Sequence, residues 1–298
     1  MSAARIWVMA ARVRTLPAAV APVLVGTSLA LGAGTFHPLA FVAALLGAVF
    51  IQVGTNLSND YSDARRGADT EDRLGPVRVT AGGLVPPSQV LLATYVTFGS
   101  AVLCGAYLVA VAGPELLAVG AASILAGVLY TGGPRPYGYE GLGEVFVFLF
   151  FGVVAVAGSY FVQVQRLPWQ AFVCAVPVGL LASAILVVNN VRDLDTDRRA
   201  GKRTLAVRLG RERTRALYCA MLVVAFVTAP LPWAFGSMRA WLLLPWAVAP
   251  LAVRVAQVVR TRSDGPALNG ALAKTGMLQL GFCLLYAAGI LASSGIRA

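Results

Sequence analysis

Long apolar runs of bilayer length fill this chain, and its polar residues gather between the runs instead of alternating within them. The runs lie near 15–33, 38–58, 88–111, 114–131, 142–163, 169–190, 214–234, 240–260 and 271–292. A membrane core takes about 20 mainly apolar residues per helix. A membrane barrel would instead show polar and apolar residues in alternation, and these runs show none. The pattern predicts an all-α, polytopic membrane protein of about nine transmembrane helices, forming one domain over 1–298. The first run passes through Pro17 and Pro22 without a cleavage site, which argues against a removable signal peptide.

Composition sharpens this picture. Hydrophobic residues make up 58% of the chain and charged residues 12%, outside the range of soluble domains. The net charge of +11 would suit nucleic acid, but its placement argues for a membrane instead. With the N-terminus inside and nine spans, only Arg166, Arg239 and Arg297 fall on the outer side. That bias is the positive-inside pattern, and it predicts a cytoplasmic N-terminus, an outer C-terminus and no nucleic-acid partner. Trp169, Trp233 and Trp241 then fall near the outer interface, where indoles are favoured. Cys104, Cys174, Cys219 and Cys283 lie inside proposed spans without metal-site spacing and read as small apolar filler.

Two acidic stretches break the pattern, 59–69 and 189–197. Four spans separate them, so both emerge on one face of the membrane, together with the loop 130–144. Carboxylates at the end of a membrane helix are expensive and point to function. Both stretches repeat polar residues every four positions: Asn59 and Asp63 in the first, Asn189, Asp193 and Asp197 in the second. If each helix runs on into its motif, these residues share a face. Asp195 then points about 200° away from Asp193, since each residue turns a helix by about 100°. Gly67 and Gly201 suit the left-handed positions that end helices.

Carboxylate and amide oxygens without His or Cys suit Mg²⁺, which bridges protein carboxylates to phosphates. The candidate ligands are Asn59, Asp60, Asp63, Asp69, Asn189, Asp193 and Asp197, with Asp63, Asp193 and Asp197 central to catalysis. Arg65, Arg66, Arg78, Lys202 and Arg203 are candidates for diphosphate. The bland alternative pairs these acids with the nearby arginines at the membrane surface. The only histidine, His37, falls in an outer loop, which excludes a Ser-His-Asp arrangement. Gly82-Gly83 and Gly132-Gly133 lack the surroundings of a nucleotide loop and read as turns.

At these residues the chain resembles the UbiA-type intramembrane prenyltransferases. Asn59, Asp60, Asp63, Gly67 and Asp69 match the first acidic motif of that superfamily, and Asp193 and Asp197 match the second. The stretch from Arg14 to Pro22, the loop YTGGPRPYGYEGLGE and the stretch from Asp197 to Ala206 are similar to the branch that prenylates 1,4-dihydroxy-2-naphthoate on the way to menaquinone. The resemblance implies helices around a central apolar cavity whose mouth faces the cytoplasm of a plasma membrane. It implies Mg²⁺ as cofactor, and a polyprenyl diphosphate and the naphthoate as substrates. Loss of CO₂ and diphosphate would give a demethylmenaquinone. Arg14, Tyr130, Arg135 and Tyr139 are the candidates for holding the acceptor. One departure stands out: Gly67 occupies the position where many relatives carry the last acid, with Asp69 two residues on. Alternatives are transfer to another aromatic acid, such as 4-hydroxybenzoate, and a transporter. A transporter would place its polar site near the midplane on broken helices, whereas these charges cluster at helix ends.

Overall fold

A computed structural model describes residues 2–68 and 74–294, so Asp69 lies outside the described residues. Every described regular element is helical: α1 Ala3–Ala11, α2 Pro17–Gly32, α3 Pro38–Arg65, α4 Pro87–Ala112, α5 Glu115–Leu129, α6 Gly143–Val147, α7 Ala155–Val164, α8 Trp169–Arg199, α9 Leu205–Leu209, α10 Arg211–Thr228, α11 Leu231–Ala234, α12 Ala249–Thr261 and α13 Gly265–Ser294, with short 3₁₀ segments. A π-helical stretch, Phe148–Val154, joins α6 to α7 into one continuous rod. Prolines open α2, α3 and α4 at the first helical positions, where the missing N–H costs nothing.

Each of the nine apolar runs is helical, but they differ in reach. Among the described residues, seven helices are long and apolar enough to span a bilayer. The pair Ala3–Thr15 and Pro17–Gly32, bent by 51°, makes an eighth if it counts as one span. The expected span at 114–131 is the helix of 15 residues, α5. At 1.5 Å per residue it reaches roughly 22 Å, short of the ~30 Å hydrocarbon core. The expectation of nine full spans is corrected to that extent.

Two helices run past their apolar runs. α3 continues to Arg65 and α8 to Arg199, carrying Asn59, Asp60 and Asp63 of the first acidic stretch and all of the second, 189–197, as helix rather than loop. Gly67 and Gly201, at φ of 64° and 74°, take the left-handed conformation just beyond these two ends. The main core lies around α8 and α13, where Leu181, Val188, Tyr218, Leu278, Phe282 and Tyr286 are buried. Gly152 and Gly179 let the π-helical stretch and α8 pass in close backbone contact, since a Cβ on Gly152 would come within 2.6 Å of the Gly179 Cα. All four cysteines are unpaired thiols, Cys174 and Cys283 buried.

Long-range hydrogen bonds collect three connections at one end of the helices. The Arg203 N–H donates to the Tyr139 carbonyl at 2.8 Å, Arg66 donates to the Gly133 carbonyl, and Asp60 accepts from the 79–80 backbone. The opposite end is closed by Gln163 against His37 and by Gln165 Nε2 donating to the Val111 carbonyl at 2.9 Å.

Candidate active site

The ends of α3 and α8 face one cavity of about 610 Å³. On the α3 wall stand Asn59 and Asp63, one helical turn apart. The Asn59 Oδ1 accepts from the Thr131 hydroxyl at 2.9 Å. Asp63 is 2% exposed and held from three sides. The Tyr139 hydroxyl donates to its Oδ1 at 2.5 Å, and Arg78 and Lys202 approach Oδ2 at 3.5 and 3.6 Å. A carboxylate this deeply buried is tolerated only because cations and a donor compensate its lost hydration.

The α8 wall carries Asn189, Asp193 and Asp197, so the four-residue repeat does become one face. Arg192, itself buried, grips Asp193 with two nitrogens at 2.7 and 2.6 Å. It also donates to Oδ1 of Asn189 and of Asn269, each at 2.7 Å. This fork fixes the Asp193 carboxylate in one orientation. Asp195 points elsewhere and pairs with Arg211 at 2.7 Å.

The remaining candidates divide sharply. Tyr130 and Tyr139 line the cavity, as do Arg78 and Lys202. Lys202 also sits 4.8 Å above the Tyr139 ring, a cation–π contact. Asp60 does not line it: its two oxygens accept from the N–H groups of Val79 and Thr80, at 3.2 and 2.9 Å. Its carboxylate anchors the 78–85 turn, and its place among the candidate ligands is corrected accordingly. Arg65 is exposed and donates to the Tyr61 hydroxyl at 3.0 Å. Arg66, Arg135 and Arg203 are exposed, and none of their side chains lines the cavity. Arg14 is exposed as well; Arg12, two residues earlier, lines the cavity instead.

The structure adds polar residues that sequence reasoning passed over. Gln52 and Asn56 continue the Asn59–Asp63 stripe inward along α3 and bond to the Thr15 hydroxyl at 3.1 and 3.2 Å. Their spacing of four and three residues was a readable signal, since amides inside an apolar run share the helical period. Beyond this stripe the walls are apolar, including Ile51, Leu108, Phe150 and Val154. The cavity is therefore charged at one end and greasy along the rest. Tyr137 closes part of the loop side; burial holds its phenol well above the usual range, so it stays neutral and donates to the Ala126 carbonyl at 2.8 Å.

The donor set fits Mg²⁺ in kind: amide and carboxylate oxygens on two walls, with no soft ligand among them. Among the described residues no three His, Cys, Asp or Glu side chains form a ready-made metal cluster.

Comparison with known proteins gives a consistent result. The profile of the UbiA prenyltransferase family matches residues 19–278. The 1,4-dihydroxy-2-naphthoate octaprenyltransferase of Mycobacterium tuberculosis is 44% identical, over 94% of this chain and 95% of the relative. The protein of the same description from Escherichia coli is 38% identical, over 98% and 97%. Among solved structures, a UbiA homolog from Archaeoglobus fulgidus bound to GPP and Mg²⁺ superposes with a TM-score of 0.67 at 16% identity, covering 96% of this chain and 99% of that one. The apo UbiA homolog from Aeropyrum pernix K1 gives 0.67 at 17% identity, covering 94% and 98%.

Proposed function

We propose that this chain, which belongs to the UbiA prenyltransferase family and is a membrane polyprenyltransferase, moves a polyprenyl group from its diphosphate to 1,4-dihydroxy-2-naphthoate. CO₂ and diphosphate leave, and because both ring hydroxyls are retained the direct product is the hydroquinone, a demethylmenaquinol, whose two-electron oxidation to demethylmenaquinone is a separate step. The observation that carries this reading is one cavity with oxygen ligands from α3 and α8 at its charged end and an apolar remainder. The named activity of the Mycobacterium tuberculosis and Escherichia coli relatives supports the choice of acceptor.

In this reading Asn59 and Asp63 on one wall, and Asn189, Asp193 and Asp197 on the other, would hold Mg²⁺, and Asp69 stays a candidate from its sequence motif alone. When bound, the ion supplies positive charge to the departing diphosphate. Arg78 and Lys202 add fixed cations at the same end, which lowers the cost of the charge that develops as the C–O bond breaks. The apolar walls take the prenyl tail and keep water from the allylic carbon. The naphthoate ring attacks that carbon at the position bearing its carboxylate. Ring aromaticity then returns by loss of CO₂, so no strong base is required for a ring proton.

In this reading the protein sits in the plasma membrane, and the charge bias of the loops supports a cytoplasmic N-terminus and cytoplasmic site loops; an outer C-terminus requires that the short α5 crosses along with the eight longer spans. Purified protein supplied with Mg²⁺, a polyprenyl diphosphate and naphthoate labelled with ¹³C at the carboxyl carbon tests the reaction. Label should leave as CO₂ one-to-one with diphosphate. Retention of label in a prenylated product would move the chain to a hydroxybenzoate-type reaction, with the metal site intact.

A further inference from the structure

One buried acid beside the cavity has no part in the reaction as described. Glu144, at the start of α6, is 4% exposed. Its Oε1 accepts from the Asn190 Nδ2 at 2.8 Å, and its backbone carbonyl accepts from the Ser183 hydroxyl at 3.0 Å. Its Oε2 is buried without a hydrogen-bond partner. Such an arrangement is costly in an apolar surround, so it requires a return. Glu144 itself does not line the cavity, but Asn190 does.

The chemistry of the pair determines which way Asn190 faces. The amide turns its NH₂ to Glu144 Oε1 and is left with its oxygen for other partners. Among the described residues, no group donates to that Oδ1. A carbonyl oxygen needs a donor or a cation. Diphosphate and carboxylate offer neither, whereas a phenolic hydroxyl offers a donor. The proposed Mg²⁺ ligands on α8 are Asn189, Asp193 and Asp197, and Asn190 is turned by about 100° from the first of them. An aromatic side chain, Tyr130, lines the same cavity and lies close to the start of α6, since a Cβ placed on Gly143 would be 3.5 Å from the Tyr130 hydroxyl.

From this we infer that Glu144 is a positioning residue that locks the Asn190 amide, so that its carbonyl oxygen accepts from a ring hydroxyl of the aromatic acceptor. This rests on the prenyl-transfer reading and adds a contact to it. Asn190 orients the acceptor in the cavity; Glu144 acts only through Asn190.

The test uses the full chain in detergent and reads equilibrium binding of 1,4-dihydroxy-2-naphthoate, its hydroxyl-methylated ethers and 4-hydroxybenzoate, along with steady-state KM for acceptor and donor. Asn190→Leu should weaken the naphthoate by about tenfold, the weight of one lost hydrogen bond, and leave the polyprenyl diphosphate KM unchanged. One methyl ether should bind the unaltered protein about tenfold more weakly than the free hydroquinone, and Asn190→Leu should erase that preference. Glu144→Gln keeps an accepting oxygen and should stay within about threefold, whereas Glu144→Met should approach Asn190→Leu. The two changes together should be no worse than Asn190→Leu alone. Full additivity, an unchanged preference for the free hydroxyl in Asn190→Leu, or a loss that falls on the donor KM would overturn the inference. If Glu144→Met does not fold, Asn190→Leu with the ether decides it. Refusal of the naphthoate by the unaltered protein would overturn the acceptor assignment, and the hydroxyl contact would then be read on 4-hydroxybenzoate.

Discussion

The hydroxyl of Tyr139 lies 2.5 Å from Oδ1 of Asp63, across 76 residues of sequence. The same ring carries the Lys202 ammonium 4.8 Å from its centroid, and Lys202 reaches the other Asp63 oxygen at 3.6 Å. One tyrosine thus ties together the end of α3, the loop before α6 and the connection after α8.

Tyr139→Phe removes the donor and keeps the ring under Lys202. A hydrogen bond to a charged group is worth roughly 1.5–3 kcal/mol, so kcat/KM should fall about tenfold or more. Thermal stability followed by size-exclusion chromatography should fall by no more than the loss of that one bond, with the protein still folded. An unaltered kcat/KM would remove Tyr139 from the site.

Asp63→Asn and Asp193→Asn keep size and remove charge from the two walls. Each should lower turnover at least about a hundredfold, equivalent to about 2.7 kcal/mol of transition-state stabilisation. Asp195→Asn breaks an ion pair whose acid is 61% exposed and should be near neutral. Equal losses at Asp193 and Asp195, measured as initial rates of prenyl transfer, would contradict the helical phase seen in α8.

Metal removal gives an independent reading. Activity should vanish in EDTA and return with Mg²⁺, because the charged end of the cavity is lined by carboxylate and amide oxygens from α3 and α8. Full turnover in a rigorously metal-free preparation would end the model of ion-assisted departure.

Arg12 and Arg14 should separate cleanly. Arg12→Ala alters the cavity wall and should reduce kcat/KM by about tenfold, the scale of one charge-assisted hydrogen bond. Arg14→Ala should leave the acceptor KM unchanged, since that side chain is exposed away from the cavity. A rise in acceptor KM for Arg14→Ala alone would restore the steering role that its place before the first span suggests.

The parts of this site that lie on regular helix could be read in advance. Asn59 with Asp63, and Asn189 with Asp193 and Asp197, fall four apart, and helical periodicity carried them onto two cavity walls. What escaped depended on loops folding back. Nothing near Asp60 announces that the Val79 and Thr80 N–H groups come to meet it, so it read as a ligand and stands as a loop anchor. Arg192 was legible only as one more positive-inside charge, yet it is buried and forks onto its own neighbour in sequence. Of the five basic residues expected near diphosphate, only Arg78 and Lys202 line the cavity, because side-chain direction in irregular segments has no period to reveal it. The spans were legible from apolarity; the short reach of α5 was not, since Tyr130 and Thr131 prolong its apolar run without prolonging the helix.

The π-helical stretch from Phe148 to Val154 makes the length of its rod a matter of phase as well as reach. Above it, Phe146 stacks on Tyr137 with ring centroids 4.0 Å apart. Below it, a Cβ on Gly26 would collide with the Val156 carbonyl and approach the Ser159 Cβ to 2.8 Å, so α2 and α7 are keyed together. A π turn holds one residue more than an α turn, so this stretch takes up an extra residue while the helix on either side keeps its phase. Deleting one residue within it should restore ordinary α-helical bonding and leave both of these fixed points in place, whereas the same deletion in the α-helical turns below would swing Ser159 away from Gly26 by about 100°. In this rod, natural variation in residue count should therefore fall within Phe148–Val154 and not in the turns on either side.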